Sequence, residues 1–414
     1  MTKNTANAAG RNKWSQKSKY SSRSNNRNTN KHLSLTVQRS GLKQIKTISR
    51  PTEYLQLSLT TAIDVAKVLS SILCNPILAV KTQSGPLECI LTCSLGAEHT
   101  FLSIDSNRSL YLCCDQKKDS CFTSLENISK ESVHNLRNYS NDLSNIATQV
   151  LGGFSTKTEF RHFHLPSKVR LLAYICKTEK ITTYLKRHAR KYEDIADQTN
   201  TILPSTESLI QFNTVIKNAL RHSHDEDAQA EHYNAIAMES LAKCFQSYQE
   251  TKSISLKEIQ RHELCKDLVV WGYANVDAPL SLEIAIEQLH TTRTSLSQGC
   301  KETMGIGPME ILRYIRLEHV YKALTSSKIR KQLNLQKVEE IREHYSFMSR
   351  GNFAGTYKTY FEESPKKTLM KSENNWRKFD KAIRKQKREK QSEHYILIQG
   401  YFWQYKKPLK YKTN

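Results

Sequence analysis

Between Pro279 and Pro365 two passages of the chain repeat one pattern, and this repeat constrains the fold more than any other feature. Each is an amphipathic helix, a break of about three or four residues, and a second short amphipathic helix. In the first passage, Leu280 to Cys300, residues Leu282, Ala285, Ile286 and Leu289 fall at i, i+3, i+4 and i+7 and so share one helix face. Ser281 is placed to cap that helix, with Glu283 in its positively polarised first turn. After a break at His290-Thr291, Thr292 can cap a second helix that carries Leu296 and Cys300 inward. In the second passage, Val338 to Phe361, Val338, Ile341 and Tyr345 form the first stripe. Ser349 then caps a helix with Phe353 and Tyr357 on its inner side. One helical hairpin is commonplace; two in tandem have the grammar of paired helix-turn-helix units.

The intervening residues predict how the two hairpins are held. Gly305-Ile306-Gly307-Pro308 stops one helix, and proline suits the first turn of the next, where its missing N–H costs nothing. At about 100° per residue, Ile311, Leu312 and Ile315 lie roughly opposite Leu317, Val320, Tyr321 and Leu324. A helix apolar on two sides is packed on two sides. It is expected to fix the hairpins in one relation.

Residues 277–366, and Met304 to Val320 most specifically, resemble the DNA-binding domain of AraC/XylS-type transcription regulators, in which one long helix joins two helix-turn-helix units. Within that family the pattern is most similar to the subgroup containing the ethanolamine-operon regulator. The chain departs from the family at several positions. Ile286 and Arg342 stand where the first helix of each unit usually carries an alanine at a close helix crossing. Ser346-Phe347 replaces a Gly-Phe turn, so a non-glycine residue is expected in a left-handed conformation. Gly299, Gly351 and Gly355 sit in or beside the outer helices, where each is expected to cost up to about 1 kcal/mol.

The resemblance, together with the outward faces of the helices, implies a set of DNA-contacting residues. The first outer helix would present Arg293, Thr294, Ser297 and Gln298 to base edges, with Thr292 nearer the backbone. Arginine pairs with guanine and glutamine with adenine in the major groove. The second would present Ser349, Arg350, Asn352 and Ala354, with Lys358 on phosphate. Arg313 and Arg316 of the joining helix are further candidates.

Upstream, residues 34–276 read as a mixed, β-rich sensor region with helices, giving an α+β chain that ends in an all-α domain. Leu57 to Cys74 has helical spacing, with Ala62, Val65, Ala66, Leu69 and Leu73 along one side. Glu88 to Leu95 and His99 to Cys114 read as strands, the second turning again at Asp105 to Arg108, and Val169 to Ile175 as another. Segments near 177–195, 205–221, 228–250 and 254–272 fit amphipathic helices. The expected organisation is a basic tail at 1–33, an effector and dimerisation domain at 34–250 and a connecting helix at 251–276. The DNA-binding domain follows at 277–366, and a basic and aromatic tail at 367–414. The resemblance implies a small-molecule effector, a homodimer and the transcription machinery as partners beside double-stranded DNA, with no cofactor.

The net charge of +23 is unevenly spread. Residues 1–33 hold eight Lys/Arg and no acid, and residues 366–414 hold fifteen against four, so these ends carry +8 and +11. Residues 277–365 carry twelve basic and eleven acidic residues, a net +1. The basic composition therefore points at the ends, not at the repeated hairpins. Residues 1–33 lack both the apolar run of about seven that a secretory leader needs and the amphipathic stripe of a transit peptide. No run of about 18 apolar residues occurs, so no membrane partner is expected, and a cytoplasmic, nucleoid-associated protein is. The ten cysteines are then expected as reduced, small core residues, in preference to a zinc or redox-sensing site drawn from Cys89, Cys93, Cys113, Cys114 and Cys121. His162 and His164 alternate on a strand as a metal pair would, without an evident third ligand.

No phosphate-binding Gly-Lys-Ser loop, Gly-x-Ser-x-Gly elbow or His-Glu-x-x-His is present, so the chain is not expected to be an enzyme. A methyl-accepting cysteine fused to such a domain would need a metal-cysteine pattern that is missing. The expectation is a sequence-specific DNA-binding transcription regulator. The alternative is a degenerate relative acting as a non-specific basic nucleic-acid-binding or scaffold protein. In either case the basic run Phe379 to Lys390 is expected as a solvated tail that can add phosphate contacts, and Tyr395 to Tyr405 is expected to dock back on the protein in preference to stacking on single-stranded bases.

Overall fold

Alternation of period two opens the described part of the chain: Leu55, Leu57 and Leu59 are buried while Gln56 and Ser58 face out. The computed structural model describes residues 53–374 except 97, 114–119, 129–147, 155–162, 190, 199–200, 223–226, 248–259 and 280. The leading strand is β1 (Glu53–Leu59), so Leu57 to Leu59 are not helical as their spacing suggested. Thr61 ends the alternation. Its side chain accepts a hydrogen bond from Asp64 N at 3.1 Å and caps α1 (Ala62–Ile72).

The strands β2 (Leu78–Lys81), β3 (Cys89–Leu95), β4 (His99–Ser106), β5 (Leu110–Cys113), β6 (Ser120–Ile128), β7 (Thr148–Gly152), β8 (Phe163–Leu165), β9 (Val169–Lys177) and β10 (Thr201–Ile202) form two sheets. One has seven strands in the order β1-β3-β4-β9-β6-β7-β10, the other three in the order β2-β5-β8, and every pairing is antiparallel. Cross-strand partners match in character. Leu57 faces Leu91, Cys93 faces Leu102, and Asp105 lies opposite Arg170, whose guanidinium reaches its carboxylate at 2.8 Å.

Four helices follow: α2 (Thr178–His188), α3 (Tyr192–Gln198), α4 (Thr206–His222) and α5 (Asp227–Gln246). The single helix expected over 177–195 is thus two, because Ala189 has extended backbone (φ −131°) and interrupts it. α4 carries Leu209, Phe212, Val215, Ile216, Ala219 and Leu220 on its buried side. They meet Phe101, Leu125, Leu172 and Tyr174 of the large sheet and Ala237, Leu241 and Phe245 of α5 in one core.

The chain then turns wholly helical, through α6 (Gln260–Ala274), α7 (Leu282–Gln288), α8 (Arg293–Met304), α9 (Pro308–Thr325), α10 (Ser327–Leu333), α11 (Val338–His344) and α12 (Arg350–Phe361). Helix continues over 365–374, where Thr368 and Ser372 are buried, so packed structure runs past the boundary expected at 366. The basic run Phe379 to Lys390 and the aromatic stretch Tyr395 to Tyr405 lie outside the described residues, as do residues 1–33, Cys114 and His162.

Of the nine described cysteines, eight are buried and Cys74 is exposed, and none of the nine is in a disulfide. Burial pushes Cys89 and Cys244 up to about 12 and Cys121 up to about 11, which makes them poor nucleophiles. His164 is spent on Ser109, its Nε2 lying 2.7 Å from the hydroxyl, and burial pushes the ring down to about 4. Among the described residues no three His, Cys, Asp or Glu side chains converge as a metal site would need. No described helix is long and apolar enough to cross a membrane.

Candidate nucleic-acid interface

The two hairpins share one backbone design. In the first, Ser281 caps α7, and Leu289 N donates to Ala285 O at 2.9 Å. His290 then enters the left-handed region (φ +48°), its N–H donating to Glu287 O at 3.1 Å, and Thr291 N donates to Ile286 O at 3.1 Å. In the second, Tyr345 N donates to Ile341 O at 3.2 Å. Ser346 takes φ +58° with its N–H to Glu343 O at 2.9 Å, and Phe347 N donates to Arg342 O at 3.0 Å. Both turns thus satisfy the carbonyls at the end of the first helix with the same pattern of donors. The left-handed residue expected at Ser346 is there, and Ser346 Oγ donates to Asp277 O at 2.7 Å.

The outer helices start alike and differ by one residue of turn. Thr292 accepts from Ser295 N at 3.2 Å and caps α8. Ser349 accepts from Asn352 N at 3.4 Å and caps α12. The extra residue is Met348, whose side chain is 91% exposed. α8 buries Leu296, Cys300, Thr303 and Met304, and ends at Gly305 in the left-handed region (φ +74°). α12 buries Phe353, Tyr357, Tyr360 and Phe361.

α9 keeps its two apolar faces apart. Ile311, Leu312 and Ile315 join Leu282, Ala285, Leu296 and Cys300 in one cluster with α6. Leu317, Val320, Ala323 and Leu324 join Ile341, Tyr345, Phe353 and Tyr357 in the other. Of the departures from the family pattern, Ile286 is only half-buried. Arg342 is buried, but its guanidinium donates to Phe347 O and, at 2.9 Å, to Met348 O, and it pairs with Glu343 at 2.6 Å. The charge is thereby used to hold the second turn. Gly299 has a steric reason: a Cβ there would lie 2.0 Å from the carbonyl oxygen of Arg261 on α6. Gly351 and Gly355 face open space.

Most of the expected contact residues are on the surface. Thr292, Arg293, Thr294, Gln298, Ser349, Arg350, Asn352, Ala354 and Lys358 are exposed, and Ser297 and Arg313 half-buried. Arg293, Ser297 and Arg313 line one shallow depression of about 320 Å³ with Glu310 and the start of α9 at Gly307-Pro308. Arg316 is the exception and is withdrawn from the set. It is 2% exposed, with its guanidinium donating to Asn275 O at 3.2 Å and Tyr345 O at 3.5 Å. Its place on α9, between the two apolar faces, turns it inward.

Two features escaped the sequence reading. α10 was not foreseen, although Ser326 before it is an ordinary N-cap; its Arg330 donates to the end of α9 at Leu324 O (2.6 Å) and Ala323 O (3.0 Å). α9 also has a third face, turned to the sheets. Glu318, 1% exposed, accepts from Ala62 N at 3.0 Å and from Tyr360 Oη at 3.2 Å, with the ammonium of Lys81 at 4.0 Å. Lys81 donates to Gly85 O at 2.5 Å and sits 3.9 Å from the centre of the Tyr360 ring. Lys322 reaches Asp64 of α1 at 2.7 Å. Burial pushes the Lys81 ammonium down to about 8, offset in part by Glu318, and pushes the Glu318 carboxyl up. The end of α12 is therefore tied through one buried charge cluster to α9, α1 and β2.

No family model matches the chain. Among solved structures it is similar to the AraC-like transcriptional activator CuxR, with 9% identity and a TM-score of 0.30 over 65% of this chain and 95% of that one. It is similar also to ToxT from Vibrio cholerae O395, with 11% identity and a TM-score of 0.25 over 78% of this chain and 98% of that one. The same protein bound to (E)-4-(8-methylnaphthalen-1-yl)but-3-enoic acid gives 10% identity and a TM-score of 0.27 over 78% and 99%. Scores of this size do not establish a common fold.

Proposed function

We propose that the chain is a sequence-specific DNA-binding transcription regulator of the AraC/XylS type, with α8 and α12 as its reading helices. One observation carries this reading. The donors of Leu289, His290 and Thr291 and those of Tyr345, Ser346 and Phe347 repeat in register, so one hairpin design occurs twice, on opposite faces of α9. Each copy leaves a polar helix end outward, which is what major-groove reading requires. The departures Arg342 and Ser346 are compatible with the reading, since Arg342 donates to carbonyls of the second turn and Ser346 donates to Asp277 O. On this reading effector binding and pairing of subunits fall to residues 34–250, the sheet region with the helices that follow it. Contact with the transcription machinery falls to the regulator as a whole, and the protein works in the cytoplasm at the nucleoid. Kinship to the ethanolamine-operon subgroup rests on Met304 to Val320 alone.

The experiment is competition binding of the full chain to a randomised duplex library at fixed salt. The wild type should enrich one motif. Arg293→Ala or Gln298→Ala should cost on the order of 1–3 kcal/mol at one or two base positions while leaving non-specific affinity nearly intact. A second reading, a basic scaffold without sequence preference, is favoured by the net +1 of residues 277–365 against +8 and +11 at the ends. It predicts no enriched motif and a uniform loss for every sequence.

A further inference from the structure

An ion pair recurs at the same place in both hairpins. In the first, Arg293, the opening residue of α8, reaches back across the turn to Glu283 of α7 at 2.5 Å. In the second, Arg350, the opening residue of α12, reaches back to Glu339 of α11 at 3.0 Å. Each glutamate is the second residue of its helix and each arginine the first of the next. All four side chains are largely exposed, the glutamates at 71% and 46% and the arginines at 65% and 81%. Exposed pairs contribute little to stability, so stability does not account for finding the same pair twice. Position does: both arginines stand at the outward helix end assigned to base reading.

Among the described residues the first pair is buttressed and the second is not. Glu283 uses one carboxylate oxygen for Arg293 and the other for the Ser281 hydroxyl, at 3.0 Å. In α11 the capping role falls to Glu340, which accepts from Lys337 N at 2.9 Å and Gln336 N at 2.6 Å, leaving Glu339, among the described residues, to Arg350.

Resting on the DNA-binding reading above, we propose that Glu283 and Glu339 are positioning residues that set base discrimination without touching a base. Each carboxylate holds a guanidinium at one angle over the reading surface, so less rotamer freedom is lost when the arginine meets a base edge. Each also places a negative charge where a phosphate would otherwise collect the arginine, which penalises non-specific contact more than specific contact. The first clamp, held on both oxygens, has the larger effect.

The test measures affinity of the full-length protein for its selected motif and for random-sequence duplex at one salt concentration. Glu283→Gln should lower the ratio of the two affinities about fivefold, the factor matching the upper end for an exposed pair, and raise affinity for random duplex. Glu283→Asp keeps the charge but loses reach, so the ratio should fall with random-duplex affinity unchanged. Glu339→Gln should act in the same direction and less. In an Arg293→Ala background, Glu283→Gln should change the ratio no further, an outcome that a purely structural glutamate would not give. An unchanged ratio in Glu283→Gln, or an equal loss with and without Arg293, overturns the positioning role while the DNA-binding reading stands. A wild-type protein that selects no motif overturns the DNA-binding reading and this role with it.

Discussion

Glycine positions separate two kinds of sequence inference at the scale of single residues. Composition treats Gly299, Gly351 and Gly355 alike, as weak points of the outer helices. The packing divides them. Gly299→Ala should destabilise by about 1–3 kcal/mol, because its Cβ would press on the Arg261 carbonyl and drive α8 off α6. Gly351→Ala and Gly355→Ala should each stabilise by up to about 1 kcal/mol, since nothing lies within 4 Å of either new Cβ. Urea unfolding midpoints of the three variants test the division, and the same sign for all three would refute it. The left-handed turn at Ser346 was readable because a family glycine is missing there. The matching break at His290-Thr291 was readable too, but its left-handed conformation was not, since no missing glycine marks His290 for φ +48°. Arg316 failed for a related reason: periodicity places a residue on a face but does not say which carbonyls await it.

At the scale of elements, α9 is where pattern reading succeeded and where it ran out. Its two apolar stripes were legible at about 100° per residue, and they meet the two predicted hairpins. Its third face was not legible. Glu318 and Lys322 are four apart, the spacing of any surface helical pair, whereas their partners Lys81 and Asp64 lie more than 200 residues away in the chain. β2 is equally quiet in sequence, four residues ending in a lysine. The consequence can be measured. Glu318→Leu alone leaves the buried Lys81 ammonium without its countercharge and should cost about 3–5 kcal/mol. Adding Lys81→Met should recover much of that loss, because an apolar pair fills the space without burying charge. A double variant as unstable as the single one would mean that the pair is not the source of the cost.

For the whole molecule, largely buried imidazoles lie in both the sheet region and the helical region, and acid should find them. Burial pushes His319 down to about 4, aided by Lys67 and Lys322, and burial alone does the same to His164. Both rings have folded values below the unfolded one of about 6.5. Their contribution is therefore complete above about pH 6.5 and is lost as pH falls through the window down to about 4. His319→Phe, which keeps a ring between Tyr273 and Tyr345, should make unfolding midpoints less sensitive to acid than in the wild type between pH ~7 and ~4.5. Equal sensitivity would remove His319 from the account.

The same whole-molecule geometry bears on the central claim. α9 has 18 residues and so spans about 27 Å, close to one turn of duplex DNA at about 34 Å. Two hairpins fixed to it should read two segments about one helical turn apart. The most direct measurement compares the motifs selected from a randomised duplex library by the wild type, Arg293→Ala and Arg350→Ala. Each arginine variant should relax preference at its own one or two base pairs, and the two places should lie about 10 base pairs apart. Relaxation at the same base pairs by both variants, or an equal loss of affinity for every sequence, would contradict the account.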